Sequence, residues 1–293
     1  MKFLVAGGSG FVGRHVVRRL LSEGHAVLNA DRVPPQAPEP GEVVAVADLT
    51  SPEGIAAAAA RGADAVVWLA ASIRQAPTID ATAQDDLRLM VEAPLRLLSV
   101  LASPPASVVY LSSVQVYGRP DRLPVDEEHA TRPFTVYGVA KLCAEQMLGV
   151  ACAGRGIACA SLRAAFVYGP GQHPANAIPR FLERVRSGVA PVVHGDGADV
   201  RDDVFVGDVA QAVSHAASRR AHGVLNIGSG APHTLLDVAR ATCDLVPSGL
   251  RPAHEDRPSG WIDRWYTIDR ARSELGYVPT AFADGLRRQW AEG

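Results

Sequence analysis

Val5-Ala6-Gly7-Gly8-Ser9-Gly10-Phe11-Val12-Gly13 is the stretch whose reading decides the fold. The short apolar run Lys2–Ala6 ends directly on it, and a helical pattern, Phe11–Glu23, starts inside it. A Gly7-x-x-Gly10-x-x-Gly13 spacing permits a tight turn, a close backbone approach to a pyrophosphate and close packing of helix on strand. The N-terminus of the following helix offers free N–H groups and a partial positive charge to an anion. Gly7, Ser9, Gly10, Phe11 and Val12 are therefore candidate dinucleotide contacts.

Working outward, the next apolar run, Ala26–Ala30, ends on Asp31. A carboxylate there accepts hydrogen bonds from an adenosine ribose and repels a 2′-phosphate, which favours NAD over NADP. Arg32 beside it pulls the other way, since a guanidinium can stack on adenine or receive a phosphate. Asp48-Leu49 closes a third run, Val43–Ala47. Asp48 fits two roles, an adenine contact and a helix cap ahead of Ser51-Pro52.

Ala65–Ala70, Ser107–Leu111 and Ile157–Leu162 continue the brief apolar runs, separated by helical patterns at Pro52–Ala60, Asp85–Ala102 and Thr135–Ala153. Strands alternating with helices predict an α/β fold, a Rossmann-type doubly wound parallel sheet. Val204–Val206 and Val224–Ile227 read as strands returning to that sheet. The expected organisation is a dinucleotide-binding domain over 1–165 with returning segments near 204–230. A smaller, proline-rich, C-terminal substrate-binding lobe takes 166–203 and 231–293, over the sheet edge where open α/β folds bind ligands.

One pattern in the middle of the chain carries chemistry. Tyr137 and Lys141 stand four apart, on one helix face, with Ser113 upstream in Ser112-Ser113-Val114-Gln115-Val116-Tyr117. An adjacent ammonium lowers a phenol pKa toward the operating pH, and a nearby Ser hydroxyl can bond the same substrate oxygen.

Composition sets limits. The chain has 293 residues, 47% of them hydrophobic and 20% charged, with a formal charge of −2. That balance gives no reason to expect nucleic acid or an anionic membrane as partner. Pairs such as Arg18-Arg19 read as solvated helix faces. Cys143, Cys152, Cys159 and Cys243 form no close Cys-x-x-Cys pair and read as reduced thiols; no metal site is expected. The apolar opening stops at Gly7, too soon for a signal peptide, and no stretch has membrane-spanning length, so a cytoplasmic protein is expected.

Taken in order, these motifs resemble the extended short-chain dehydrogenase/reductases of the nucleotide-sugar epimerase/dehydratase group. Those carrying the resemblance include the glycine turn, Trp68-Leu69-Ala70-Ala71, Ser112-Ser113, Tyr137-x-x-x-Lys141 and Val167-Tyr168-Gly169-Pro170-Gly171-Gln172. Arg201-Asp202, Asn226-Ile227-Gly228-Ser229-Gly230 and Leu275-Gly276-Tyr277 extend it along nearly the whole chain. The resemblance implies NAD as cofactor, with Leu69, Ala70 and Ala71 among its contacts, and a nucleotide sugar as substrate. Tyr137 is then the acid/base, Lys141 the nicotinamide-ribose contact that holds the Tyr pKa down, and Ser113 the group that orients the reacting oxygen. Arg201 and Arg257 match arginines that meet the diphosphate, which suits bidentate guanidinium binding. Arg74, Gln115 and Phe166 fall where substrate contacts are expected, and His173 can line the same lobe. The helices at Asp85–Ala102 and Thr135–Ala153 correspond to those that form the family's homodimer.

Several positions depart from the group's pattern. Dehydratases carry Asp-Glu after the catalytic hydroxyl, where this chain has Val114-Gln115, and Gln neither gives nor takes a proton at neutral pH. Phe166 replaces an Asn that bonds the diphosphate, and Met90 replaces an Asn that supports the backbone near the site. Trp68 stands in place of a His, and Ser259-Gly260 in place of Gly-Asp. The expected activity is a C4 epimerase using tightly bound NAD. The alternatives are an NAD(P)H-dependent ketosugar reductase and, in another class, a low-turnover dinucleotide sensor or scaffold.

Overall fold

The computed structural model describes residues 1–72, 81–247, 249–256 and 262–292, without the side chains of residues 81 and 82. Six strands appear in the expected order: β1 Lys2–Ala6, β2 Ala26–Asp31, β3 Glu42–Val46, β4 Ala65–Trp68, β5 Ser107–Ser113 and β6 Ala158–Ala164. Gly223–Ile227 joins them in one seven-stranded sheet, ordered from this strand through β6, β5, β4, β1 and β2 to β3. Every pairing in it is parallel. The chain winds outward from β1 to β3, then returns to place β4 on the other side of β1. The carboxyl ends of β1 and β4 thus flank the switch point where ligands bind in such sheets.

Alternation along β1 shows why the sheet is buried on both faces. Phe3 and Val5 enter a core with Val16, Val17 and Leu20 of helix α1 (Phe11–Ser22) and with the helix Val206–Ser218. Leu4 and Ala6 point the other way. They meet Ile55 of α2 (Pro52–Ala59) and Ala140, Ala144 and Leu148 further along the chain. Period-two alternation with both faces apolar is the signature of a covered parallel sheet. A third apolar cluster, with Tyr168, Phe181, Val193, Phe205, Val238 and Leu286, packs the segments beyond β6.

Two elements differ from expectation. The Asp85–Ala102 pattern folds as α3 (Ala81–Leu87), a π-helical turn at Arg88–Glu92 and α4 (Ala93–Val100). Pro94 has no N–H to give the Met90 carbonyl four residues back. The Tyr110 hydroxyl donates to that oxygen instead, at 3.3 Å, while Ala93 N–H bonds Arg88 five residues back. Met90 thus sits at a helix irregularity supported from β5. Second, Gly223–Ile227 enters the main sheet but Asp203–Phe205 does not. It pairs with Phe166–Tyr168, in a two-stranded parallel ladder beyond the end of β6.

Candidate active site

The glycine turn is held by contacts that leave no room for a Cβ. Gly7 has φ +85°, and a Cβ on it would lie 2.6 Å from the Ala70 nitrogen. On Gly13 a Cβ would lie 2.1 Å from the Gly7 carbonyl oxygen. α1 begins at Gly10 with no side-chain cap on its first N–H groups, which leaves them for an anion. Two cavities meet over this turn, sharing Gly7, Gly10, Leu69 and Ala71. The larger, about 920 Å³, runs toward Asp31, Arg32, Asp48, Leu49 and Ala70. The smaller, about 380 Å³, contains Ser113, Gln115, Tyr137, Lys141, Phe166 and Arg201. A long groove bent over a helix N-terminus, with a carboxylate at one end, suits an extended dinucleotide.

At the adenosine end, Asp31 accepts hydrogen bonds from Ser9 N–H at 3.1 Å and Val33 N–H at 3.2 Å. Asp48 is neither cap nor free. It receives the Thr50 N–H and hydroxyl, at 2.9 and 2.7 Å, and these bonds hold its carboxyl below the ordinary range. Ser51, accepting from Gly54 N–H at 3.0 Å, is the cap of α2. The groove wall also contains residues that sequence reading missed. Arg14 Nη1 donates to both carboxylate oxygens of Glu42, at 2.7 and 2.9 Å, and Arg18 bonds Glu39 at 2.9 Å. Asn29 joins Glu42 to Ser9 in the glycine turn, at 2.8 and 3.1 Å. The available signal was the four-residue spacing of Arg14 and Arg18 at the start of α1. That spacing puts both on the side facing the loop after β2.

The reaction end is built from the carboxyl end of β5 and from α5 (Val136–Ala153). Thr135 caps α5 through Gly138 N–H at 3.1 Å and donates its own hydroxyl to Gln115 Oε1 at 3.3 Å. This brings Gln115 to the cavity wall. Tyr137, Lys141 and Glu145 occupy one buried face of α5, each four residues from the next. Three consecutive residues of β5 receive them. Tyr137 lines the cavity beside Ser113, Lys141 Nζ donates to the Leu111 carbonyl at 2.6 Å, and the Ser112 hydroxyl donates to Glu145. The Lys141 ammonium also lies 4.7 Å from the Tyr110 ring centre and 5.6 Å from that of Tyr137.

Electrostatics here differ from the expectation that Lys141 simply lowers the Tyr137 pKa. Burial pushes the Tyr137 hydroxyl up to about 12, against the Ser113 hydrogen bond. Burial likewise pushes Lys141 down to about 7, against the attraction of Glu145. The low-polarity surroundings penalise both ions, which keeps the phenol protonated and brings the ammonium close to losing its proton near neutral pH. A positively charged group entering the cavity beside the phenol would favour phenolate.

Arg201 and Phe166 are brought together as expected residues of one wall, with the guanidinium 5.4 Å from the ring centre. Asp203 holds Arg201 at 2.7 and 3.0 Å and also meets His233 Nε2 at 3.0 Å. His173 lines the same cavity. Arg74 and Arg257 lie outside the described residues. Among the described residues no group of His, Cys, Asp and Glu is arranged to hold a metal ion.

Fold and groove together define a class: a dinucleotide-dependent enzyme on a doubly wound parallel sheet. The sequence model of the NAD dependent epimerase/dehydratase family matches residues 3–228. The chain belongs to that family, within the extended short-chain dehydrogenase/reductases. It is 29% identical over 304 residues to a putative UDP-glucose 4-epimerase of Methanocaldococcus jannaschii, covering 97% of this chain and 96% of that one. It is also 29% identical over 308 residues to a dTDP-glucose 4,6-dehydratase of Streptomyces griseus, covering 97% and 91%. Among solved structures, MoeE5 in complex with UDP-glucose and NAD superposes with a TM-score of 0.85 at 31% identity, covering 100% of this chain and 98% of that one. The chain is thus an NAD-dependent nucleotide-sugar enzyme of the epimerase/dehydratase type.

Proposed function

We propose that this enzyme interconverts the C4 epimers of a UDP-hexose, and that Val114-Gln115 is the observation that separates this reading from dehydration. Gln115 sits on the cavity wall with its carboxamide oxygen accepting the Thr135 hydroxyl. A carboxamide there cannot supply the acid and base that loss of water requires. Ser113, Tyr137 and Lys141 remain, and they suffice for moving one proton at one sugar hydroxyl. NAD, when bound, supplies a reversible hydride acceptor. Gly7, Ser9, Gly10 and the α1 N-terminus would hold its pyrophosphate, Asp31 its adenosine ribose and Lys141 its nicotinamide ribose. Tyr137 takes the hydroxyl proton and gives it back, Ser113 fixes the oxygen's position, and the Arg201–Phe166 wall meets the substrate's nucleotide portion. The UDP-glucose 4-epimerase relatives support the choice of sugar nucleotide.

Incubation with UDP-glucose or UDP-galactose alone, followed by proton NMR of the sugar, tests this. The expected result is the same epimer mixture from either side with no added cofactor. A dehydrated 4-keto product, or turnover only with stoichiometric NADPH, overturns it. A homodimer belongs to the same reading. The outer face of α5 exposes Val139, Met147 and Val150, the last 77% exposed. A second copy would cover this apolar row. Light scattering should give twice the chain mass, and Val150→Glu should halve it.

A further inference from the structure

Behind the glycine turn, a polar side chain occupies a core position. Asn29 of β2 follows Val27 by two residues, so it points to the face on which α1 packs. It is fully buried, and its Oδ1 has no hydrogen-bond partner among the described residues. The amide also fills the space beside Gly8, where a Cβ would lie 2.4 Å from that oxygen. A buried amide with one orphan atom costs stability that an apolar residue would not. What the amide does lies at its nitrogen. Asn29 Nδ2 donates to Glu42 Oε1 at 2.8 Å and to Ser9 Oγ at 3.1 Å.

Glu42, at the start of β3, fixes which way this amide points. Its side chain has no exposed surface. Arg14 Nη1 donates to both of its oxygens, Asn29 Nδ2 to Oε1, and the Glu39 N–H to Oε2 at 2.7 Å. Every one of these partners is a donor, and a carboxylate only accepts. Asn29 must therefore present its NH2 group, and the same nitrogen meets Ser9. An amide nitrogen cannot accept, so Ser9 Oγ does. The Ser9 hydroxyl proton is left to point elsewhere. Ser9 is half-buried and lines the larger cavity, and that is the open side.

We propose that Glu42 and Asn29 are positioning residues for the dinucleotide, and that through them the Ser9 hydroxyl is set as a donor to the pyrophosphate. Asn29 donates in both directions, to the carboxylate behind it and to the hydroxyl in front. Ser9 passes that polarity on to the anion. A hydroxyl already turned outward needs no reorientation when the ligand arrives, and an accepted hydrogen bond strengthens the one it donates. This assignment rests on the pyrophosphate lying over the glycine turn. It does not rest on which sugar reacts.

Glu42→Gln tests the direction of these bonds, because it keeps the size and exchanges one acceptor for a donor. A carboxamide that turned its NH2 to the Glu39 N–H would set donor against fixed backbone donor. It turns it to Asn29 instead, the Asn29 amide flips, and the Ser9 proton is drawn inward to Oδ1. The change also releases charge on Arg14, which acts with or without the Ser9 hydroxyl. The comparison is therefore the effect of Glu42→Gln in wild type against its effect in Ser9→Ala, both read by NADH fluorescence titration. Affinity should fall about three- to tenfold more in the wild-type background, the scale of one hydrogen bond. A brace that only holds the turn predicts no such difference, since the flipped amide still bonds Ser9. Equal effects in the two backgrounds overturn the proposal. If Glu42→Gln does not fold, Asn29→Leu fills a similar volume without an amide. It should weaken NADH about threefold where Ser9 is present and not in Ser9→Ala, and equal effects there overturn the proposal too. Gly13→Ala separates this assignment from the reading beneath it. If Gly13→Ala binds NADH as wild type does, the pyrophosphate does not lie on the turn and both fall. If Gly13→Ala weakens binding while the two Glu42→Gln effects are equal, only the Glu42–Asn29 assignment falls.

Discussion

The two ends of the groove solve different problems with the same fold. At the adenosine end the ligand surface is mostly backbone: a glycine turn, an uncapped helix and Asp31 braced by two N–H groups. Its charged side chains pair with one another, and several remain partly exposed, as Arg18 at 58% and Glu39 at 21% show. At the reaction end the surface is side chain, packed so tightly that burial moves proton affinities. Tyr137 rises to about 12 and Lys141 falls to about 7. Binding needs shape and dipoles, which backbone supplies cheaply. Proton transfer needs ions held where ions are costly, and only a buried, cross-braced helix face provides that.

The sharpest break of this contrast is Tyr137→Phe. It keeps the ring among Ala140, Ala144 and their neighbours and removes one hydroxyl. Turnover of UDP-galactose should fall about 10³-fold, within the range of positioned acid–base groups. NAD affinity, followed by NADH fluorescence, should stay within a few-fold. Equal loss of both would merge the two ends.

Lys141→Met probes what the reaction end costs. Turnover should fall about 10²-fold, while stability at pH 6 should rise. The folded pKa of Lys141 is about 7 and the ordinary value 10.5, so between these limits the unfolded chain binds the proton more readily. Stability from this group is therefore present above pH 10.5 and is lost as pH falls toward 7. Methionine removes that penalty, on the order of a few kcal/mol, offset by about 1 kcal/mol for the lost bond to Leu111. Melting curves of the two proteins should be furthest apart at pH 6 and converge above pH 10. A variant less stable at pH 6 would refute buried strain at this site.

Gly13→Ala is the matching test for the other end. A Cβ would meet the Gly7 carbonyl, and backbone does not yield as a side-chain tip does. Overpacking of this kind costs about 1–3 kcal/mol. NAD affinity should fall by at least tenfold with the turn displaced, and the Tyr137 ionisation, followed by tyrosinate absorbance, should not move.

The contrast also explains what could be read in the sequence. The glycine turn, Asp31 and the strand–helix alternation were legible because each is a local pattern set by backbone geometry. Ser113, Tyr137 and Lys141 were legible as residue types at helical and strand spacing. Three things were not. The direction of the Lys141 and Tyr137 shifts depends on burial, which arises from elements remote in the chain. Glu145 looked like an ordinary helix residue until β6 placed Arg163 opposite it. The pairing of Asp203–Phe205 with Phe166–Tyr168 depended on tertiary competition for strand partners, which apolar runs alone do not encode.

The smallest expected effect sharpens the adenosine end. Asp31→Ser should weaken NAD by about three- to tenfold, roughly one ordinary hydrogen bond, and by itself should bring little affinity for NADP. The reason lies in the occupied arginines: Glu42 takes Arg14 Nη1 with both carboxylate oxygens, and Glu39 takes Arg18. Removing the carboxylate that repels a 2′-phosphate leaves no released guanidinium from α1 to receive one. Asp31→Ser combined with Glu39→Gln frees Arg18, and NADP affinity should then rise about tenfold over the single variant, more strongly at low salt. NADPH fluorescence titrations of the three proteins separate the cases. If Asp31→Ser alone binds NADP well, Arg32 suffices as the phosphate partner and the paired arginines only brace the loop.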